Sequence, residues 1–260
     1  MHNVRKPNVA GQFYPEKANT LKEMIHSFLI ESHVHVEEQP KAIIAPHAGY
    51  IYSGSIAATI YAVISKYKDT VKKVVLFGPS HRMYFKGIAA TMVDYFETPL
   101  GIVPVANERD FLSSSVIHVN EAAYGMEHSL EVQLPFLQIV LNQFELTPLI
   151  VGDVDFPKVA DVISSLWGGK ETLIIVSSDL SHYKDYQAAQ NLDACTSRAI
   201  LNLAPQELHF EQACGLIPIQ GLLQVAKQNN MQARALDVRN SGDIVGIKDR
   251  VVGYGAYCFW

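Results

Sequence analysis

Three histidines in this chain occupy one kind of position. Ile43-Ile44-Ala45 runs into Pro46-His47-Ala48-Gly49-Tyr50, Val74-Val75-Leu76-Phe77 runs into Gly78-Pro79-Ser80-His81, and Ile174-Ile175-Val176 runs into Ser177-Ser178-Asp179-Leu180-Ser181-His182. Each apolar run has the length of a buried strand, and each delivers a histidine just past its end. Ligands of open α/β sheets bind beyond the carboxyl ends of the strands. Parallel strands would therefore bring His47, His81 and His182 to one edge. A lone loop histidine is ordinarily solvated, whereas three in the same context point to a shared site.

Two other segments offer groups to such a site. Cys214-Gly215 stands before a helix, where a thiol tends to have a lowered pKa; the alternative is a buried, inert cysteine. Glu127-His128-Ser129-Leu130-Glu131 packs two carboxylates around a histidine. Here Ser129 as a cap and Glu131 in the first helical turn give an equally good structural reading. Neutral imidazoles and a thiolate suit zinc, iron or copper and suit magnesium or calcium poorly. Asp179 and His182 read as supporting or proton-transfer groups, because a carboxylate often orients a histidine. His33 and His35 read as solvated loop residues, and His2, His26, His118 and His209 carry no motif. Cys195, mid-helix, and Cys258, in a strand, read as inert. The aromatics of Gly11-Gln12-Phe13-Tyr14-Pro15 and Tyr50-Ile51-Tyr52 can wall a pocket or fill a core. No nucleophile elbow, P-loop, dinucleotide fingerprint or H-E-x-x-H motif occurs.

The elements that must position these groups follow from periodicity. Helices are predicted over Glu16–Ile30, Gly54–Lys66, Phe156–Trp167, Asp185–Leu203 and Leu216–Gln228, with a weaker one over Asn107–Val116. Helical spacing runs from Ser129 to Phe144, but proline is best tolerated at the first helical position, so that helix is predicted to start at Leu134 or Pro135. Strands are predicted over Lys41–Ala45, Lys72–Phe77, Gly87–Val93 (antiparallel or at an edge), Glu145–Val151, Glu171–Ser177, Gln232–Arg239 and Arg250–Phe259. This alternation predicts a single α/β domain spanning 1–260: a mixed, mostly parallel sheet with helices on both faces.

Composition agrees with that reading and narrows the function classes. The chain has 260 residues, 48% hydrophobic and 18% charged, so it can bury a sizeable core. A net charge of −5 argues against nucleic-acid binding through bulk positive charge. No apolar stretch is long enough to span a membrane, and the first residues lack the apolar core of a signal peptide. Three widely spaced cysteines do not make a disulfide framework, so a cytoplasmic location is expected.

Taken as a set, Gly11 to Tyr14, Ala45 to Tyr50, Gly78 to His81, Glu127 to Glu131 with Leu134-Pro135, Ser177-Ser178-Asp179 with His182, and Cys214-Gly215 with Pro218-Ile219 resemble the Memo family. Its prokaryotic members are called AmmeMemoRadiSam system protein B. The resemblance covers almost the whole chain. It implies a fold similar to LigB-type class III extradiol dioxygenases, which are non-haem iron enzymes. It also implies iron or copper at His47, His81 and Cys214, with Asp179, His182 and His128 lining the same pocket. The dioxygenases carry a carboxylate where this family has the cysteine, and a thiolate is itself oxidisable. Arg82 stands where eukaryotic members have a second histidine, and Leu216-Ile217 where they have Arg-His. The family name implies radical-SAM and AMMECR-type companion proteins acting on a small-molecule or peptide substrate. The resulting expectation is a redox metalloprotein in which His182 is the acid/base, Asp179 orients it, and His128 with Glu127 or Glu131 positions substrate. Its alternatives are a binding or scaffold protein that retains the pocket, and a zinc hydrolase.

Overall fold

The computed structural model describes residues 2–107 and 114–260. In chain order its elements are β1 (Val4–Arg5), α1 (Ala18–Glu31), β2 (Ala42–Ala45), α2 (Tyr50–Ile64), β3 (Lys73–Pro79), β4 (Ile88–Ala90), β5 (Tyr95–Thr98), β6 (Gly101–Pro104), β7 (Ile117–Val119), α3 (Leu134–Val140) and β8 (Glu145–Val151). Then follow α4 (Phe156–Ser165), β9 (Thr172–Ser177), β10 (His182–Lys184), α5 (Tyr186–Leu201), α6 (Leu216–Gln228), β11 (Ala233–Asn240), α7 (Ser241–Val245) and β12 (Val251–Phe259).

The main sheet has the order β10-β12-β2-β9-β3-β8-β4-β7, with β11 also paired to β12. Its centre, β2-β9-β3-β8, is parallel. β12 is antiparallel to β2, and β4 is antiparallel to β8. The expected mixed sheet with a parallel centre is therefore present. The central strands are buried on both faces, as near-continuous apolar runs require. Ile43, Val74, Leu76, Leu173 and Ile175 pack toward α1, α2 and α3. Their neighbours Ile44, Val75, Phe77, Ile174 and Val176 pack toward α4, α5 and α6. Each strand thus alternates between two apolar layers with period two.

Several boundaries differ from the sequence reading for local reasons. α2 begins at Tyr50 rather than Gly54, since the chain turns into the helix directly after Gly49. α3 starts at Leu134 with Pro135 in its first turn, as proline chemistry predicts, but it ends at Val140 after only seven residues. A 3-10 turn, Glu131–Gln133, precedes it. The helix expected over Asn107–Val116 lies mostly outside the described residues. A small second sheet, β1-β5-β6, was not foreseen. Among the described residues no helix is long and apolar enough to cross a membrane.

The N-terminal segment is tied down by Glu131. Its buried carboxylate accepts hydrogen bonds from Asn8 N (2.7 Å), Val9 N (2.9 Å) and Tyr14 Oη (2.7 Å). Glu131 is therefore a structural staple and not a substrate-positioning group. Hydrogen bonds to a charged acceptor are worth roughly 1.5–3 kcal/mol. Tyr14→Phe is expected to cost about 2 kcal/mol in equilibrium urea unfolding; an unchanged midpoint would refute this role for the hydroxyl.

Candidate metal centre

Strands β2, β9 and β3 lie side by side and parallel, so their carboxyl ends share one edge. Pro46 follows β2 and His47 comes next. Ser80 and His81 follow β3, and Ser178 and Asp179 follow β9. The segment before α3 crosses the same edge and carries Glu127 and His128. It approaches closely because Gly78 has no side chain: a Cβ there would stand 2.6 Å from Ser129 Oγ and 2.8 Å from Leu130 Cδ2.

Three imidazoles converge at this edge. His47, His81 and His128 each offer a ring nitrogen, and these atoms lie within 4.8 Å of one another. The ring centroids are 5.2 Å apart for His47 and His81, 5.5 Å for His47 and His128, and 4.8 Å, stacked, for His81 and His128. The sequence reading placed His128 beside the metal as a catalytic or substrate-positioning group; the structure places it inside the ring cluster. Phe13 lies against its ring at 4.6 Å, so the N-terminal segment forms one wall of the site.

Glu127 organises two members of the cluster. Its carboxylate accepts from His81 Nδ1 (2.9 Å), His81 N (2.6 Å), His128 N (2.9 Å) and Ser129 N (2.9 Å). Its Oε1 also lies 3.5 Å from His128 Nδ1. Burial alone would raise its pKa, but the bonds from His81 and Ser129 outweigh burial and hold it down to about 2. An ionised carboxylate only accepts, so His81 Nδ1 carries a hydrogen, and in the neutral ring Nε2 then holds the lone pair. A carboxylate behind a histidine is the usual outer support of a metal ligand.

Burial pulls His47 well below the ordinary imidazole range, and the neighbouring His81, His128 and His182 add to the effect. Burial also takes His128 down to about 4, with Glu127 opposing and His81 and Arg82 adding. Both rings are therefore neutral at pH 7, the form that binds metals.

Cys214 stands just before α6, with Sγ 3.3 Å from His47 Nε2. Asp179 N donates to the same sulfur at 3.3 Å. Gly215 makes this approach possible, because a Cβ there would lie 2.7 Å from Ser178 Cβ. The helix N-terminus was expected to lower the thiol pKa. Burial and the adjacent Asp179 instead push it up to about 12. The sulfur lies close to the imidazoles, but the group of atoms within 4.8 Å of one another is the three-histidine set.

Asp179 and His182 do not pair as expected. Asp179 Oδ1 accepts from His47 N at 2.8 Å, and burial raises its carboxyl to about 7. His182 Nδ1 donates to Leu180 O at 2.8 Å, so that carbonyl, and not Asp179, orients the ring. Burial lowers the His182 pKa, with the Leu180 carbonyl opposing and His81 adding to the effect. A cavity of about 440 Å³ opens onto the site beside His81 and Cys214, with Arg82, Phe85, Ile217 and Pro218 among its walls. The sequence reading offered Phe13 as a pocket wall or a core residue, and its ring lies against His128, but it missed Gln133, whose Nε2 donates to Ser177 Oγ at 2.8 Å. The signal for Gln133 was its polarity at a position that helical spacing marks as buried.

Fold and site together define an α/β protein with a histidine cluster, able to bind a metal ion, at the carboxyl edge of its parallel strands. The sequence pattern of the family described as Memo-like protein matches residues 5–258. The chain is 38% identical to a MEMO1 family protein of Methanosarcina barkeri, over 97% of this chain and 98% of the relative. It is 35% identical to one of Aquifex aeolicus, over 96% and 97%. The crystal structure of an uncharacterized protein from Escherichia coli K12 covers 85% of this chain and 99% of its own, with a TM-score of 0.56 at 12% identity, a likeness of fold. This chain belongs to the Memo-like family.

Proposed function

We propose that the protein is a non-haem metalloprotein of redox type that holds iron or copper. The observation that carries this reading is the convergence of three imidazole nitrogens within 4.8 Å, two of the rings held neutral and one backed by a buried carboxylate. His47 and His81 would be ligands, with Cys214 or His128 completing the set. The donor set fits a borderline or soft transition metal and would fit magnesium or calcium poorly. A bound iron or copper ion would supply one-electron redox chemistry and Lewis acidity.

The chain's own residues would do the rest. His182 keeps its Nε2 lone pair because Nδ1 donates to Leu180 O, so it can accept a proton from a group brought within its reach. Asp179, with its carboxyl raised to about 7, can hold a proton near neutral pH while fixing the backbone of His47. Phe13 and Glu127 both lie against the His128 ring and would hold it in place.

The test is elemental analysis of untagged protein purified without oxygen, with a His47→Ala/His81→Ala variant alongside. Near-stoichiometric iron or copper, lost in the variant, is the expected result. Zinc would transfer the reading to a hydrolase. The absence of any metal after reconstitution would leave a binding protein that has kept the pocket.

A further inference from the structure

His47 is the only ring of the cluster buried to 1% exposure. Its Nδ1 faces Ser177 Oγ at 2.8 Å, and distance alone does not say which of the two donates. The surrounding groups decide it. Ser177 Oγ lies 2.6 Å from Ser129 O, a carbonyl that can only accept, so the single serine hydrogen points there. Gln133 Nε2 lies 2.9 Å from Pro46 O, again an obligate acceptor, which fixes the orientation of the amide. The same nitrogen therefore donates its second hydrogen to Ser177 Oγ at 2.8 Å. Tyr61 Oη, 2.7 Å from Gln133 Oε1, must then be the donor to that oxygen. Ser177 has spent its hydrogen and accepts one from the amide. Only its second lone pair faces His47, so His47 Nδ1 must bring the hydrogen.

We infer that Ser177, anchored on Ser129 O and braced by Gln133, is a tautomer lock, which keeps the hydrogen of His47 on Nδ1 and the lone pair of Nε2 turned into the site. Ser177 is thus a positioning residue that Gln133 braces: neither lines the cavity, yet the serine sets what His47 can bind. Ser177 and Gln133 are 0% and 1% exposed, so no water competes for these bonds. Every direction in the chain is anchored on a backbone carbonyl, which cannot reverse. In Ser177→Ala the acceptor facing His47 Nδ1 is gone, so the imidazole hydrogen can move to Nε2, where it blocks a ligand. The link from tautomer to metal affinity rests on the metal reading above; the tautomer itself does not.

The experiment is a long-range 15N–1H correlation spectrum of metal-free protein with labelled histidine at one fixed neutral pH. His47→Gln identifies the signal. Titration with Co²⁺, followed by its visible absorption, accompanies it. The wild type is expected to show His47 as a single Nδ1–H tautomer. Ser177→Ala is expected to lose that purity and to bind Co²⁺ about 10–100-fold more weakly, the usual loss when an outer partner of a ligand is removed, whereas Gln133→Met, which leaves Ser177 anchored on Ser129 O, is expected to keep the Nδ1–H tautomer. Tyr61→Phe, which leaves the amide anchored on Pro46 O, is expected to change the tautomer little. A wild-type spectrum with the hydrogen on Nε2 overturns the lock even if no variant folds. An unchanged tautomer in folded Ser177→Ala overturns it as well. If the tautomer shifts as expected but no form binds Co²⁺, the lock stands and the metal reading falls.

Discussion

Glu127→Ala is expected to destabilise the protein by about 3–5 kcal/mol, the cost of breaking a buried charged network by removing one partner. The side chain is 4% exposed and gathers four N–H donors, three from the backbone of residues 81, 128 and 129 and one from the His81 ring. Alanine would leave all four in a site with no replacement acceptor. Urea unfolding measures the loss, and a change below about 1 kcal/mol would show that water takes over the role. Glu127→Gln should cost less but still injure the site, because an amide can accept at only one of its two ends. His81 would then lose its carboxylate partner, and metal affinity should fall with it.

The same residue predicts a pH dependence with a definite sign. Its folded pKa is about 2, against an ordinary value of 4.5. A depressed carboxyl contributes stability that is fully present above about pH 4.5 and is lost as pH falls toward about 2. The gap corresponds to about 3 kcal/mol. Asp179 and Asp193 run the other way: burial raises them to about 7 and about 6, so their contribution is present in acid and fades as pH rises through those values. Acid unfolding of wild type should therefore be steeper between pH 4.5 and 2 than that of Glu127→Gln. Parallel curves would show that Glu127 is not the titrating group.

Gly253→Ala is expected to cost about 3 kcal/mol, at the upper end of overpacking effects. A Cβ at this position in β12 would lie 2.0 Å from Asp193 Oδ2 and 2.6 Å from its Cγ. Asp193 is buried in α5 and accepts from Ser181 N at 3.0 Å, while Gly253 N donates to Ser181 O and Gly253 O accepts from Leu180 N, each at 2.8 Å. The glycine thus lets helix, strand and the loop carrying His182 meet at one point. Moving the carboxylate aside would cost the Ser181 bond and loosen His182. In a double-mutant cycle, Asp193→Ala vacates the space that the new methyl needs. The double variant should be more stable than the sum of the singles by about 1–3 kcal/mol. Strict additivity would mean that the strand relaxes without touching Asp193.

The layout of the site was legible where one physical rule governed it. Apolar runs of strand length leading toward His47, His81 and His182 do become β2, β3 and β9, and the parallel-sheet rule brings their ends together, but His182 itself lies in β10 and the third ring of the cluster is His128. Cys214 next to His47 followed from its place before a helix only with the help of the family resemblance. The partners of each group were not legible, because they depend on packing between distant segments. Glu127 and Glu131 are four residues apart and look alike in sequence, yet one supports the imidazoles and the other holds Asn8, Val9 and Tyr14. The helix rule for Cys214 was overruled by burial. The β5–β6 hairpin was missed because its turn uses Pro99-Leu100 in place of Asn-Gly or Asp-Gly, and β1 is too short to show a period.

The pairing of β12 with β2 has a kinetic consequence. The strand that ends in His47 takes one neighbour, β9, from the middle of the sequence and the other, β12, from far beyond it, with Tyr257 opposite Ile44. Closing so wide a loop is entropically costly before any pairing compensates for it, and topologies dominated by such contacts fold slowly. The three clustered histidines should thus be brought together among the last events of refolding. An ion supplied at the start would then meet scattered imidazoles, and uptake would report the end of folding instead of guiding it.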